Sequence, residues 1–259
     1  MKRILKIAYF IVLLFSATFQ INAAEKVELL KTDWSFKGLF GKFDRGSLQR
    51  GYQVYTEVCS SCHSMKYLSF RNLAEEGGPE FTEEQVKAIA ANFEITDGPN
   101  NDGEMFLRPA KLSDKFVNPY ENVKAAQAAN GGAYPPDMSV LAKARSGGVD
   151  YIYSVLLGYE DPPSGIILDD GVYYNKYMYG NNIKMSQPLS DGLIEYSDGT
   201  VATEEQMAKD VTTFLMWAAE PHLEARHKMG FKAILYLIIL TILVYFSMKK
   251  IWSRIESEV

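Results

Sequence analysis

"RGYQVYTEVCSSCHSM", residues 50–65, holds both cysteines of a 259-residue chain and one of its three histidines. Leu48, Tyr52, Tyr55, Cys59 and Cys62 recur at helical spacing. That predicts a helix opening at Ser47, its expected N-cap, with both thiols along one side. Gly51 lies on a neighbouring stripe, where a missing side chain lets another helix approach closely. The spacing Cys59-x-x-Cys62-His63 leaves three chemistries: a thiol redox pair, part of a zinc site, or covalent haem attachment.

A redox pair of thioredoxin type belongs at a helix start inside a strand–helix–strand unit. Here it follows a helix, with no alternating strand pattern nearby. Zinc needs two more ligands, and His222 and His227 stand far beyond the ~12–15 residues usual in a finger. Those two read as exposed interfacial histidines. Haem attachment suits the motif best. Two sulfurs about one helical turn apart can add to the two vinyl groups of one porphyrin, and the next residue, His63, then directs its imidazole at the iron. The opposite face calls for a second ligand, and electron-transfer haems often use Met there because a neutral thioether raises the potential. Of the ten methionines, Met65 is too near His63, while Met207 and Met216 fall in a predicted helix. Met105, Met138, Met178 and Met185 remain open.

Working outward, both ends of the chain are apolar. Residues 1–23 have a basic start (Lys2, Arg3, Lys6), an apolar run to about Phe19, and small residues at Ala23 and Ala24. This is the layout of a cleaved secretory signal peptide. Residues 231–252 form the second apolar stretch, with no charge between 233 and 248 and apolar residues on every face. A buried core helix would carry a polar stripe, so the stretch reads as a membrane anchor. Basic residues flank it evenly, and the signal peptide sets the orientation: domain 24–230 exported, tail 253–259 cytoplasmic. Export also exposes two neighbouring thiols to oxidation unless something else occupies them. The chain carries a net charge of −5 although both ends are basic, so the domain between them is distinctly acidic. That argues against a nucleic-acid partner and suits a basic protein.

Within the domain, Thr82-Glu-Glu-Gln85 and Thr203-Glu-Glu-Gln206 are capping boxes. The second opens a helix with an apolar stripe of Met207, Val211, Phe214, Leu215 and Ala218, stopped before Pro221. A short helix is expected at 150–157, a small hairpin in "LIEYSDGTV" (193–201) turning at Asp198-Gly199, and long loops at 95–120 and 130–137. Helices joined by long ordered loops fit a domain packed around something besides its own side chains. The fold class is mainly α.

The ordered set of "RGYQVYTEVCSSCHSM", "DGEMFLRPAKLSD" (102–114), "PPDMS" (135–139), "ARSGGVDYIYSVLLGY" (144–159), "DGT" (198–200) and "AKDVTTFLMWAAEP" (208–221), followed by one C-terminal span, resembles the cytochrome c1 family. These are the haem subunits of ubiquinol–cytochrome c reductase. The resemblance covers essentially the whole mature chain. It implies a cytochrome c fold with long loop insertions, in which Gly51 and Tyr55 cross Val211 and Phe214. It also implies one haem c bound through Cys59 and Cys62, with His63 and Met185 (in "IKMSQPL") as axial iron ligands. Pro136 would offer its carbonyl to the His63 ring, and Arg145, with Tyr151 nearby, would meet a haem propionate. Ser186-Gln187-Pro188 and Gly131 depart from the usual family pattern, which bears on loop stiffness. The implied role is a relay in a bacterial inner membrane, with the haem domain in the periplasm. One electron passes from the Rieske iron–sulfur protein to a soluble or tethered c-type cytochrome, with cytochrome b as neighbour in a dimeric complex. The chain itself would transform no substrate. Acidic clusters at Glu75, Glu76, Glu80, Glu83 and Glu84, and at Asp169 and Asp170, could steer a basic carrier. Two rivals are a membrane-anchored cytochrome of another complex, such as an oxidase, and a membrane-tethered thiol oxidoreductase.

Overall fold

The computed structural model of the protein describes residues 27–256, with side chains as far as Arg254. The expected leader at 1–23 and the last residues of the tail lie outside the described residues. The first helix, α1, spans Arg45–Glu57. Its N-cap is Asp44 rather than Ser47: the Ser47 N–H donates to Asp44 Oδ1 at 2.7 Å. A cap accepts from the third helical residue, and Ser47 supplies that N–H. The helix also stops earlier than its stripe suggests. After Glu57 the chain tightens into a 3-10 turn at Cys59–Ser61. There the N–H groups of Cys62 and His63 both donate to the Cys59 carbonyl, at 3.1 and 2.9 Å. The thiols therefore sit just past the helix on a tighter turn.

The core is built where α1 crosses the long helix Glu204–Ala219, which is α6 in chain order. Gly51 makes the crossing close. A Cβ there would stand 2.1 Å from the Asp210 carbonyl oxygen and 2.7 Å from the Phe214 Cβ. Beside it Arg50 donates to the wholly buried Asp210 carboxylate (Nε to Oδ2, 2.8 Å) and to Asp198 (2.8 Å). The Tyr55 and Phe214 rings lie 5.9 Å apart, and Phe214 leans on Trp217 at 5.5 Å. Leu48, Val54, Val211 and Leu215 are buried around them. Each such side chain contributes about 1.5–3 kcal/mol relative to exposure.

Between the two crossing helices come α2 (Glu83–Ala91), α3 (Val123–Ala129), α4 (Leu141–Ala144) and α5 (Gly148–Leu156). Both expected capping threonines act as caps: Thr82 accepts from the Gln85 N–H and Thr203 from the Gln206 N–H. The hairpin lies elsewhere than expected. Strand β1 (Glu94–Asp97) pairs antiparallel with β2 (Phe106–Pro109), Glu94 opposite Pro109. A two-residue pair, β3 (Tyr173–Tyr174) with β4 (Asn182–Ile183), forms the second small sheet. The stretch 95–120 is thus a hairpin with a tail, pinned because Arg108 bonds both Asp97 and Asp114. Residues 193–201 contain no strand. Asp198-Gly199 does turn, but Asp198 is drawn away to Arg50 and the Thr200 N–H, and Tyr196 is pulled into the core. One bond, Gly192 N–H to Ala202 O at 2.9 Å, closes the loop without a ladder.

The last helix, α7, spans Leu223–Glu256. Its apolar stretch has a mean hydropathy of 2.2 and none of it is buried, so it is no core helix and is long enough to cross a membrane. Its root is fixed to the domain. Arg45 donates to Glu224 through Nη1 at 2.7 Å and Nη2 at 3.0 Å, and the Phe43 N–H adds a bond at 2.9 Å.

Candidate functional site

His63 is almost fully buried at the end of the 3-10 turn. Its Nδ1 lies 2.8 Å from the Pro136 carbonyl oxygen. A carbonyl can only accept, so Nδ1 carries the proton and Nε2 keeps a free lone pair. Burial lowers the imidazole's pKa from its ordinary value, against the opposing pull of the Pro136 carbonyl and the Asp137 carboxylate. The ring is therefore neutral at pH 7, the form that ligates iron. Tyr55 adds a brace by donating to the His63 carbonyl at 3.3 Å.

The loop carrying Pro136 is sewn to the segment after His63. Met138 N–H donates to Ser64 O at 2.8 Å. Asp137 Oδ2 accepts from Ser64 Oγ at 2.7 Å and from the Lys66 N–H at 3.0 Å, while Oδ1 takes the Ser139 N–H at 2.9 Å. Ser139 Oγ in turn accepts from the Tyr67 N–H at 3.1 Å. Burial penalises the Asp137 carboxylate, but these donors outweigh it and hold its pKa low. Sequence reasoning missed Asp137. The Asp-x-Ser pattern signals the local turn bond to Ser139, but nothing in the sequence signals a partner at Ser64.

Cys59 and Cys62 are both free and half-buried. Burial first, and the neighbouring Cys62 second, push the Cys59 thiol up to about 12. A redox-active pair needs a depressed pKa to supply thiolate, so the oxidoreductase reading is disfavoured here. Among the described residues no three His, Cys, Asp or Glu side chains are grouped to hold a metal ion. His227 instead places Nδ1 3.3 Å from the Gly41 carbonyl.

Of the four open methionines, Met105 is 60% exposed beside β2. Met138 is buried in the core behind Asp137. The Met178 sulfur accepts the Tyr151 hydroxyl at 3.1 Å. Met185 is half-buried on a loop fixed at two points: Tyr159 donates to its carbonyl at 3.0 Å, and Lys184 Nζ donates to Gly131 O at 2.7 Å. That second bond ties the methionine loop to the loop that orients His63. Arg145 is exposed, with Nη1 3.3 Å from Ala144 O. It stands close enough to Tyr151 to oppose the rise that burial imposes on that phenol. In the first acidic cluster, Glu76, Glu80 and Glu83 are committed to ion pairs with Lys228, Arg45 and Lys87.

The donor set suits a haem: two unpaired thiols on one turn, then a buried neutral imidazole whose outer nitrogen is already oriented by a carbonyl. With the mainly helical fold and the exposed terminal helix, these features define the class of membrane-anchored c-type cytochromes. The family model for the cytochrome C1 family matches residues 34–255. A "Cytochrome b/c1" of Bradyrhizobium diazoefficiens is 52% identical over 239 residues, 85% of this chain and 35% of that protein. A "Cytochrome c1-2, heme protein, mitochondrial" of Solanum tuberosum is 49% identical over 237 residues, 92% of this chain and 90% of that protein. A "Cytochrome b-c1 complex catalytic subunit, mitochondrial" of Candida albicans is 47% identical over 227 residues, 87% and 78%. The chain spans about a third of the Bradyrhizobium protein and most of the other two. It belongs to the cytochrome c1 family.

Proposed function

We propose that this chain carries one haem c and relays single electrons within a ubiquinol–cytochrome c reductase. Cys59 and Cys62 would hold the group through thioethers, and His63 and Met185 would be its iron ligands. The haem supplies the reversible one-electron centre. The protein's share is placement: the Pro136 carbonyl fixes the His63 tautomer and ring plane, and Asp137 fixes Pro136. Tyr159 and Lys184 hold the methionine loop. Arg145 and Tyr151 would meet a propionate. The carrying observation is the hydrogen bond from buried His63 to Pro136 immediately beside two free thiols.

The donor would be a Rieske iron–sulfur protein and the acceptor a soluble or tethered c-type cytochrome, with cytochrome b alongside in a dimeric complex. The relatives' printed names, "b/c1" and "b-c1 complex", support that setting. The exported domain would be residues 24–230 in the periplasm, after removal of 1–23. Residues 231–252 would lie in the inner membrane and 253–259 in the cytoplasm. Purification from native membranes tests the setting: cytochrome b and a Rieske protein should accompany this chain. A reduced pyridine haemochrome spectrum of haem c type, with haem stain at this chain's mass on a denaturing gel, is the expected result. Free, alkylatable thiols in the denatured mature chain would refute it.

A further inference from the structure

At the root of α7, residues 37–43 run along one side of the helix. Phe43 N–H donates to Glu224 Oε1 at 2.9 Å, His227 Nδ1 lies 3.3 Å from Gly41 O, and the Phe40 ring packs edge-on to Phe231 at 5.9 Å. Glu224, His227 and Phe231 share one helix face, at i, i+3 and i+7. The step from 224 to 231 covers about 10 Å along the axis. Read backwards from Phe43 to Phe40, the segment therefore descends toward the uncharged run that begins at Ala233.

Its tip is a tight turn, Gly41 N–H to Gly38 O at 3.2 Å, with Gly38 at φ +89°. The turn is held from behind by Lys42 N–H to Ser35 O at 3.0 Å and by the Lys37–Asp150 ion pair at 3.0 Å. This fixed turn displays Leu39 and Phe40, 62% and 70% exposed. Trp34, Phe36 and Phe43 around it are all buried, so the turn is well anchored yet its two largest apolar groups face outward. Phe40's partner Phe231 is itself half-exposed on the surface that continues into the span.

We propose that the turn at residues 38–41 is a second membrane contact, with Leu39 and Phe40 seated in the interfacial layer of the bilayer that α7 crosses. The occupant is lipid because the apolar tip is continuous with the lipid-facing surface of α7. Exposed Lys42 would place its ammonium among headgroup phosphates. Together with the Arg45–Glu224 pair, this contact would fix the tilt of the domain over the membrane. The inference rests on reading α7 as a membrane span.

The test uses the full haem-loaded chain in proteoliposomes, with a nitroxide attached at Phe40→Cys or Leu39→Cys, and the chain without added cysteine as background. Ile242→Cys reports the span itself. Val201→Cys is the aqueous reference, beyond the far end of α6 and about 24 Å of helix from its junction with α7. Power-saturation spectra with oxygen and with a water-soluble nickel chelate give the lipid-to-water accessibility ratio. The expected ratio at 39 and 40 is several-fold above that at 201 and approaches that at 242. Ratios at 39 and 40 equal to that at 201, with 242 reading lipid, would overturn the proposal and leave the span intact. A watery signal at 242 would remove the span and the proposal with it. Repeating the measurement on the complex in native membranes separates a protein neighbour: labels at 39 and 40 shielded from both relaxants would also overturn the lipid contact.

Discussion

Replacing Asp137 with Ala removes a carboxylate that accepts from Ser64 Oγ and from the N–H groups of Lys66 and Ser139. The three losses are unequal. Ser64 and Ser139 are both buried, and the hydroxyl of the first and the N–H of the second are left without an acceptor, costing roughly 1–3 kcal/mol each. Lys66 lies at the exposed surface and its N–H rehydrates for little. The sum is at least about 2 kcal/mol. For a domain of this size that corresponds to a Tm lowered by at least about 4 °C. The loss is local to the Pro136 loop, so the effect should reach the iron. With Pro136 less firmly held, the His63 ring plane is less defined, and the ferric low-spin electron paramagnetic signals should broaden or shift. Thermal melting followed by circular dichroism, with the same spectra on the haem-loaded chain, reads both effects. Asp169→Ala, an exposed change in a loop, should do neither. A Tm within about 1 °C of wild type and unchanged iron spectra for Asp137→Ala would refute the argument that this carboxylate anchors the His63 support.

Gly51→Ala forces a methyl group against the Asp210 backbone, which cannot rotate away, so destabilisation at or above the usual 1–3 kcal/mol of overpacking is expected in urea unfolding. Met185→Leu should lower the reduction potential and open one iron coordination position, whereas Met105→Leu, an exposed change, should leave both unchanged; redox titration with optical spectra compares them. Asp198 gives a pH signature. The Thr200 N–H, then the Arg50 guanidinium, hold its carboxyl down at about 2. An unfolded Asp titrates near ~3.9, so the stabilisation it supplies is complete above that value and disappears as pH falls toward 2. The stability gap between wild type and Asp198→Asn should accordingly close between pH 4 and 2, and a gap constant across that range would contradict the assignment.

The two capping threonines were legible because they bond their sequence neighbours, and the stripe of α6 because it is periodic. Gly51 stood out as a small residue on a helix, although what it meets is α6. The end of α1 was not, because Cys59 and Cys62 continue the helical spacing while the backbone has already tightened around the Cys59 carbonyl. Nor was Asp44 distinguished from Ser47, since both are good caps and only the geometry shows which side chain accepts the helix N–H. The hairpin was misplaced because Asp198-Gly199 is a turn signal irrespective of what flanks it. Here Arg50, 148 residues away, claims the aspartate. In the site, the thiols and the imidazole announced themselves by spacing. The supports at Asp137, Tyr159 and Lys184 join segments tens of residues apart, and periodicity carries no information about such pairs.

Trypsin would cut after Arg50 and after Lys66, leaving residues 51–66 as one fragment that contains both cysteines and His63. Mass spectrometry of that fragment, from the chain purified out of cells that mature c-type cytochromes, addresses the site without assay of any partner. The account predicts the fragment with one iron porphyrin added and no reducible bond. The bare fragment, whether as two thiols or as a disulfide, would contradict it.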